Sequence, residues 1–238
     1  MSLTEQEIRI EQEALAFAKA HKKAIARRIT DKTIYLPEAE PVSVFMAGSP
    51  GAGKTEASIE LLDRVDGPAV LRIDPDELRL EFEAYTGGNA YIFQRAVSVL
   101  VEKIHDLALE QGQSFLLDGT LSNYEKACQN IERSVRKGRM VQILYVYQEP
   151  FLAWQFVQAR EAAEGRRIRP EDFINQYFAA RDVVNRLKRT FKGTIKVDLL
   201  LKNNDNSHRF YKAGIDQIDN HIPEKYSRAD IARLIGQG

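Results

Sequence analysis

The chain has 238 residues, with 34 Lys plus Arg balanced by 34 Asp plus Glu, so no overall field draws it to nucleic acid or to an anionic membrane. Its single cysteine, Cys128, forms no internal disulfide, which suits a reducing cytoplasm, and four scattered histidines make no zinc-type ligand set. No apolar run approaches the roughly 18 residues of a membrane span and the N-terminus is too charged for a signal peptide, so a cytoplasmic protein is expected.

In chain order, Thr4 to Arg28 reads as one or two helices, with Ile10, Ala14, Phe17, Ala18 and Ile25 near one face. Glu5, Glu7, Glu11 and Glu13 come early and Lys22, Lys23, Arg27 and Arg28 late, an order that complements the helix dipole. Residues 1–40 are expected to form a helical extension packed on a domain spanning 41–238, with an apolar face that also offers room for a partner.

Val42 to Ala47 is a short β-branched and aromatic run, the signature of a buried strand. It enters Gly48-Ser49-Pro50-Gly51-Ala52-Gly53-Lys54-Thr55, which reads G-x-x-x-x-G-K-[ST]. Thr55 to Val65 then places Ala57, Ile59, Leu61, Leu62 and Val65 at helical spacing. A strand that turns through glycines into a helix presents a nest of backbone N–H groups at a positive helix end, which holds a triphosphate. Lys54 then reaches the β/γ oxygens and the Thr55 hydroxyl is a ligand for Mg²⁺. The expected cofactors are ATP or GTP with Mg²⁺.

Asp66-Gly67-Pro68 reads as a turn and Ala69 to Ile73 as a second strand, ending in Asp74-Pro75-Asp76. Residues just past the carboxyl ends of parallel strands face the ligand crevice, so at least one of Asp74 and Asp76 is a candidate for chemistry; the bland alternative is a helix N-cap. After a turn at Thr86-Gly87-Gly88-Asn89, Tyr91 to Gln111 forms a long amphipathic helix on which Glu102 lies beside the apolar stripe. Ser114 to Leu117 is a third strand delivering Asp118, either a Walker-B-like acid near Mg²⁺ or an acceptor for a second substrate.

Asn123 to Lys137 is a helix whose Arg133, Arg136 and Lys137, with Arg139, read as a solvated basic face. Val141 to Tyr147 is a fourth strand and Phe151 to Glu164 a helix ending at Gly165. Arg166, Arg167 and Arg169 follow directly, with Arg160 on the preceding helix, and such a cluster has the character of a lid over transferring phosphates. Helix over Glu171 to Phe191, strand over Thr194 to Leu201, a short strand or hairpin arm at Arg209 to Gly214 and a helix capped by Ser227 complete the chain. Strands alternating with helices predict one α/β fold with a parallel sheet.

A GTPase would carry an N-K-x-D segment, and Lys202-Asn203-Asn204-Asp205 has similar letters in the wrong order. A P-loop, an acid shortly after the second strand and a late arginine lid suggest instead a small kinase, in which a carboxylate takes the proton of an attacking hydroxyl.

The set Gly48 to Thr55, Ile73-Asp74-Pro75-Asp76, Leu116-Leu117-Asp118-Gly119-Thr120, and Arg160 with Arg167 resembles the zeta toxin family over about Val42 to Asn175. That family comprises bacterial P-loop kinases of toxin–antitoxin systems that phosphorylate the 3′-hydroxyl of the sugar in UDP-N-acetylglucosamine. The resemblance implies a P-loop kinase-like parallel sheet flanked by helices. It implies Asp76 as general base, Lys54 as phosphate-binding lysine, Arg160 and Arg167 as lid arginines, and Glu102, Asp118 and Thr120 at the sugar nucleotide. Arg166 or Arg169 would replace Arg167 after a small shift. It also implies a small helical antitoxin as partner.

Two departures fall on the acceptor side. Asp118 stands where the family has Glu, and Leu121-Ser122 where it has Gly-Arg. A related P-loop kinase acting on another small molecule or a nucleic-acid 5′-hydroxyl therefore stays open, as does a non-catalytic, nucleotide-dependent interaction protein.

Overall fold

The computed structural model describes residues 3–165, 167–202, 210–223 and 225–236. Arg166, the Asn203-Asn204-Asp205 part of the N-K-x-D look-alike, and Arg209 lie outside them. Among the described residues, seven helices flank one sheet of six strands. In chain order these are α1 (Glu5–Ile29), β1 (Val42–Ala47), α2 (Lys54–Asp63), β2 (Leu71–Ile73), α3 (Gln94–Glu110), β3 (Phe115–Leu117), α4 (Tyr124–Arg136), β4 (Met140–Tyr147), α5 (Pro150–Glu164), α6 (Pro170–Phe191), β5 (Ile195–Leu201), β6 (Phe210–Lys212) and α7 (Arg228–Ile235).

The sheet order is β2-β3-β1-β4-β5-β6, parallel except for β6, which pairs antiparallel with β5. β1 is central, paired with β3 through Val44–Leu116 and with β4 through Met46–Leu144. From β1 the chain first crosses to one side, to β2 and β3, and then to the other, to β4 and β5. The carboxyl end of β1 is thus the switch point at which open α/β sheets bind ligands.

Both faces of β1 are covered, which explains its unbroken apolar run. Phe45 and Ala47 point into the larger core, shared with α1, α3, α4 and α6, whereas Met46 packs with Ala52, Ala57, Leu116, Leu144 and Val146 on the side of α2. Phe45 is fully buried and meets His105 and Phe115 edge-on.

α1 is one continuous helix, started by a capping box in which the Thr4 hydroxyl accepts from Glu7 N and the Glu7 carboxylate accepts from Thr4 N. It lies along α3, and its buried Ala14, Ala18 and Ala26 let the two backbones approach closely. Ser227 caps α7 with Asp230 in the expected S-x-x-D manner.

The basic stretch of α4 is not the solvated face that its composition suggests. Arg139 is buried and donates to Ser43 Oγ at 2.8 Å, Val42 O at 3.0 Å and Gln113 O at 2.5 Å, tying β4 to the starts of β1 and β3. Arg133 donates through Nη2 to His105 Nδ1 and Asn130 Oδ1, each at 2.8 Å, and pairs with Asp106 through Nη1. Arg136 and Lys137 do face solvent. Among the described residues no helix is long and apolar enough to cross a membrane.

Candidate active site

A cleft of about 990 Å³ opens at the carboxyl ends of β1, β2 and β3. It is lined by the loop from Pro50 to Thr55, by the acids Asp74, Asp76 and Asp118, and by Arg160 and Arg167. Strand, loop and helix adopt the arrangement that the motif requires: β1 ends at Ala47 and α2 starts at Lys54 with Gly53 as N-cap. Gly51 and Gly53 both take left-handed backbone angles, φ 70° and 78°. At Gly51 a side chain is also barred by packing, since a β-carbon would lie 2.1 Å from Ala153 O of α5.

Lys54 curls back over the loop and donates from Nζ to Ser49 O at 2.7 Å. Burial pulls its ammonium down to about 8, the carboxylates of Asp118 and Asp76 pull it back up, and Arg160 presses it down again. The groups expected of a phosphoryl-transfer centre thus share one electrostatic environment.

The turn after β2 positions Asp76. Asp74 Oδ1 accepts from Asp76 N at 2.8 Å, which makes Asp74 the local turn acceptor. Burial pushes the Asp74 carboxyl up, against the opposing pull of that backbone N–H. Asp76 opens the 3-10 turn at Glu77–Glu81 but makes no side-chain cap to it. Its Oδ1 instead pairs with Arg79 Nη1, and Arg79 Nη2 donates to Gln94 Oε1 at 3.2 Å. Arg79 is buried and lines the cleft, so the carboxylate of Asp76 is aimed by a guanidinium that is itself fixed from α3.

Asp118 Oδ2 accepts from Arg72 Nη2 at 2.8 Å and lies 3.3 Å from Ser58 Oγ on α2, one turn past Thr55. That contact, with its pull on Lys54, sets Asp118 on the P-loop side of the cleft. Arg72 Nη2 also meets Asp74 Oδ2 at 2.5 Å, and its Nε donates to Ser58 Oγ at 3.0 Å. Thr120 lines the cleft, with Oγ1 3.0 Å from Ser122 Oγ. Leu121 holds a left-handed backbone, φ 52°, rare for a branched side chain.

Glu102 is exposed and does not line this cleft; Ser98 and Val101 present that face of α3. It lines an adjoining cavity of about 490 Å³ between α3 and α4, which shares Val101, Asn123, Lys126 and Asn130 with the main cleft. Glu102 thus lies on α3, lining the adjoining cavity and not the cleft that holds Lys54 and Asp76.

Of the arginines expected to form a lid, Arg160 and Arg167 both line the cleft. Arg160 Nη2 is 3.5 Å from Glu56 on α2, and the exposed Arg167 is 3.7 Å from Glu161. Arg169 pairs with Asp172 at 2.6 Å and lies outside the lining. Two cleft residues escape the sequence reading, Arg79 and Lys202, and so does Arg72, which holds the cleft acids Asp74 and Asp118 from behind. For Arg79 a signal was present, because an arginine three residues after Asp76 shares its side of a helical turn.

The family model for zeta toxin matches residues 25–216. No curated protein matches the chain in sequence. Among solved structures, one described as the PezAT chromosomal toxin–antitoxin system of Streptococcus pneumoniae aligns with a TM-score of 0.63 at 16% identity, covering 99% of this chain and 95% of that one. AvrRxo1-ORF1:-ORF2 with ATP aligns with a TM-score of 0.58 at 15% identity, covering 85% of this chain and 65% of that one. The same pair with sulphate ions aligns with a TM-score of 0.59 at 14% identity, covering 90% and 70%. At these identities the structures establish the fold, while the family match spans most of the chain. The chain belongs to the zeta toxin family, with that family's P-loop kinase-type fold.

Proposed function

We propose that this chain is the toxin of a toxin–antitoxin pair and an ATP-dependent kinase that phosphorylates the 3′-hydroxyl of the sugar in UDP-N-acetylglucosamine. The observation that carries the reading is the convergence of Lys54, Asp76, Arg160 and Thr120 on one cleft at the switch point of the sheet. Asp76 takes the proton from the acceptor hydroxyl as its oxygen attacks the γ-phosphorus. The bond to the β–γ bridging oxygen breaks, and ADP leaves. Arg160 and Arg167 close on the transferring phosphoryl group, whose charge they offset.

The cradle fits a nucleotide triphosphate: positive-φ glycines expose backbone N–H groups, and Lys54 sits within the loop. The Thr55 hydroxyl, with Asp118 close to α2, is an oxygen donor set that suits Mg²⁺, which when bound neutralises the β/γ oxygens. Among the described residues no three His, Cys, Asp or Glu gather into a metal cage, so the nucleotide itself supplies further ligands. A small helical antitoxin is the proposed partner, and the support is the toxin–antitoxin description of the PezAT neighbour. Residues 1–40 are proposed as an extension on the kinase domain, and the cytoplasm as its location.

A second reading keeps the donor chemistry and changes the acceptor. It is favoured by Asp118 being held by Arg72 and Ser58, and by Glu102 lying off the cleft. Incubation with MgATP and UDP-N-acetylglucosamine decides between them. A monophosphorylated sugar nucleotide supports the first reading, and turnover of only another alcohol supports the second. Asp76→Asn should lose roughly 10²–10⁴-fold in turnover while keeping nucleotide affinity. Full biological effect from that variant would point to a non-catalytic, nucleotide-dependent role.

A further inference from the structure

We propose that Lys202 is a second donor-side cation, placed on the phosphates that are not transferred. The proposal rests on the nucleotide-binding reading of the cleft and deepens it. Lys202 follows β5 directly, and its backbone N donates to Tyr147 O at 3.0 Å, one rung past the strand. The main chain at this position therefore continues the β4–β5 ladder, which holds the side chain's root in place.

From there the side chain runs over the P-loop. A β-carbon built on Gly53 would lie 2.5 Å from Lys202 Nζ, 3.0 Å from Cδ and 3.1 Å from Cε. The stem and ammonium of Lys202 thus rest on the face of the residue that caps α2, immediately before Lys54. Lys202 lines the same cleft as Lys54, Thr55 and Glu56 and is half-buried there. Burial lowers its ammonium, and the carboxylate of Glu56 opposes that shift. It therefore stands at the first turn of α2, with the acid of that turn as a charged neighbour.

The amides of a P-loop cradle the α- and β-phosphates, and the loop lysine reaches to the β/γ side. A second ammonium against Gly53 and Glu56 meets the nucleotide on its α/β side. When the γ-phosphoryl group departs, negative charge grows on the β-phosphate, and a fixed cation there favours both nucleotide binding and release of the leaving oxygen. Gly53 has a role beyond its φ of 78°, because any side chain at this position would displace Lys202.

The test is a titration of the full chain with MgADP and MgATP, comparing wild type with Lys202→Met and Lys202→Arg. Loss of one charge-assisted contact should weaken both nucleotides about 10-fold or more in Lys202→Met, with Lys202→Arg within about 3-fold of wild type. A Lys202→Met variant that binds as wild type overturns the proposal. So does an arginine variant as weak as the methionine one, which would mark a packing role. A second measurement needs no variant: acylation of Lys202 by an N-hydroxysuccinimide ester, followed by peptide mass spectrometry. Protection of about 5-fold or more by MgADP is expected, and equal labelling with and without it overturns the proposal. If wild type binds neither nucleotide, the reading of the cleft itself fails, an outcome distinct from nucleotide binding that does not involve Lys202.

Discussion

Arg72 Nη2 reaches Asp118 Oδ2 at 2.8 Å, joining the ends of two adjacent parallel strands, β2 and β3, beneath the cleft. The same guanidinium holds Asp74 at 2.5 Å and Glu77 at 2.6 Å, so one planar group orders three carboxylates. Asp74 and Asp118 are both buried, and removing the cation strands their charge. Arg72→Met should therefore cost about 3–5 kcal/mol in urea denaturation. Arg72→Lys should recover less than half, because a single ammonium cannot span the positions that a fork reaches. A loss below about 1 kcal/mol for Arg72→Met would show the acids to be solvated.

Lys54 predicts a pH effect on nucleotide binding. In the free protein burial holds its ammonium near 8 instead of the ordinary 10.5, so it discharges as pH rises through 8. Bound phosphates favour the charged form. Binding should then take up close to one proton between about pH 8 and 10, none below about pH 7, and affinity should fall as pH rises through that window. Calorimetry in two buffers of different ionisation enthalpy reads this uptake directly. Lys54→Arg, charged throughout, should abolish it.

His105 predicts acid sensitivity of the fold. Burial, with the charges of Arg133 and Arg139, lowers it from 6.5 to about 3. The native state therefore binds fewer protons than the unfolded chain between those values. The stability this group contributes is present above pH 6.5 and is lost as pH falls toward 3, by about 1.4 kcal/mol per unit. His105→Gln, which retains an acceptor for Arg133, should flatten the stability-versus-pH curve between pH 6.5 and 4. An unchanged slope would assign acid lability elsewhere.

Leu121 predicts an inverted ranking of two truncations. A branched side chain at φ 52° costs on the order of 1–2 kcal/mol, which glycine avoids. Leu121→Gly sheds strain along with packing, whereas Leu121→Ala loses packing and keeps the strain. The alanine variant should melt below the glycine one, the reverse of the usual order.

The proposed arginine lid predicts a contrast among arginines. Arg160→Ala and Arg167→Ala should each lower kcat about 10²-fold or more, and Arg169→Ala less than about 3-fold. Arg169 is engaged by Asp172 and does not itself line the cleft. Equal losses at all three would mean that the loop closes by a different register.

What could be read from residues alone followed from locality. Gly48 to Thr55 announces its own strand and helix, and the Asp74-Pro75-Asp76 turn states which end of β2 it occupies, because these features depend on near neighbours in the chain. Arg139 and Lys202 could not be read that way. One is buried by carbonyls from β1 and the start of β3, the other defined by a glycine far earlier in sequence, and only the strand order creates either contact. For Glu102 the element was legible and the direction was not: one residue on a helix turns the side chain by about 100°, and here the carboxylate lines the cavity that adjoins the cleft.

The loop lysine already has a partner before any substrate arrives, since its Nζ rests on Ser49 O. An incoming phosphate must exchange that contact instead of gaining one from bulk water, which trims the enthalpy released on docking. In return that contact keeps the loop in shape, and a substrate meets a receptor that has little left to organise.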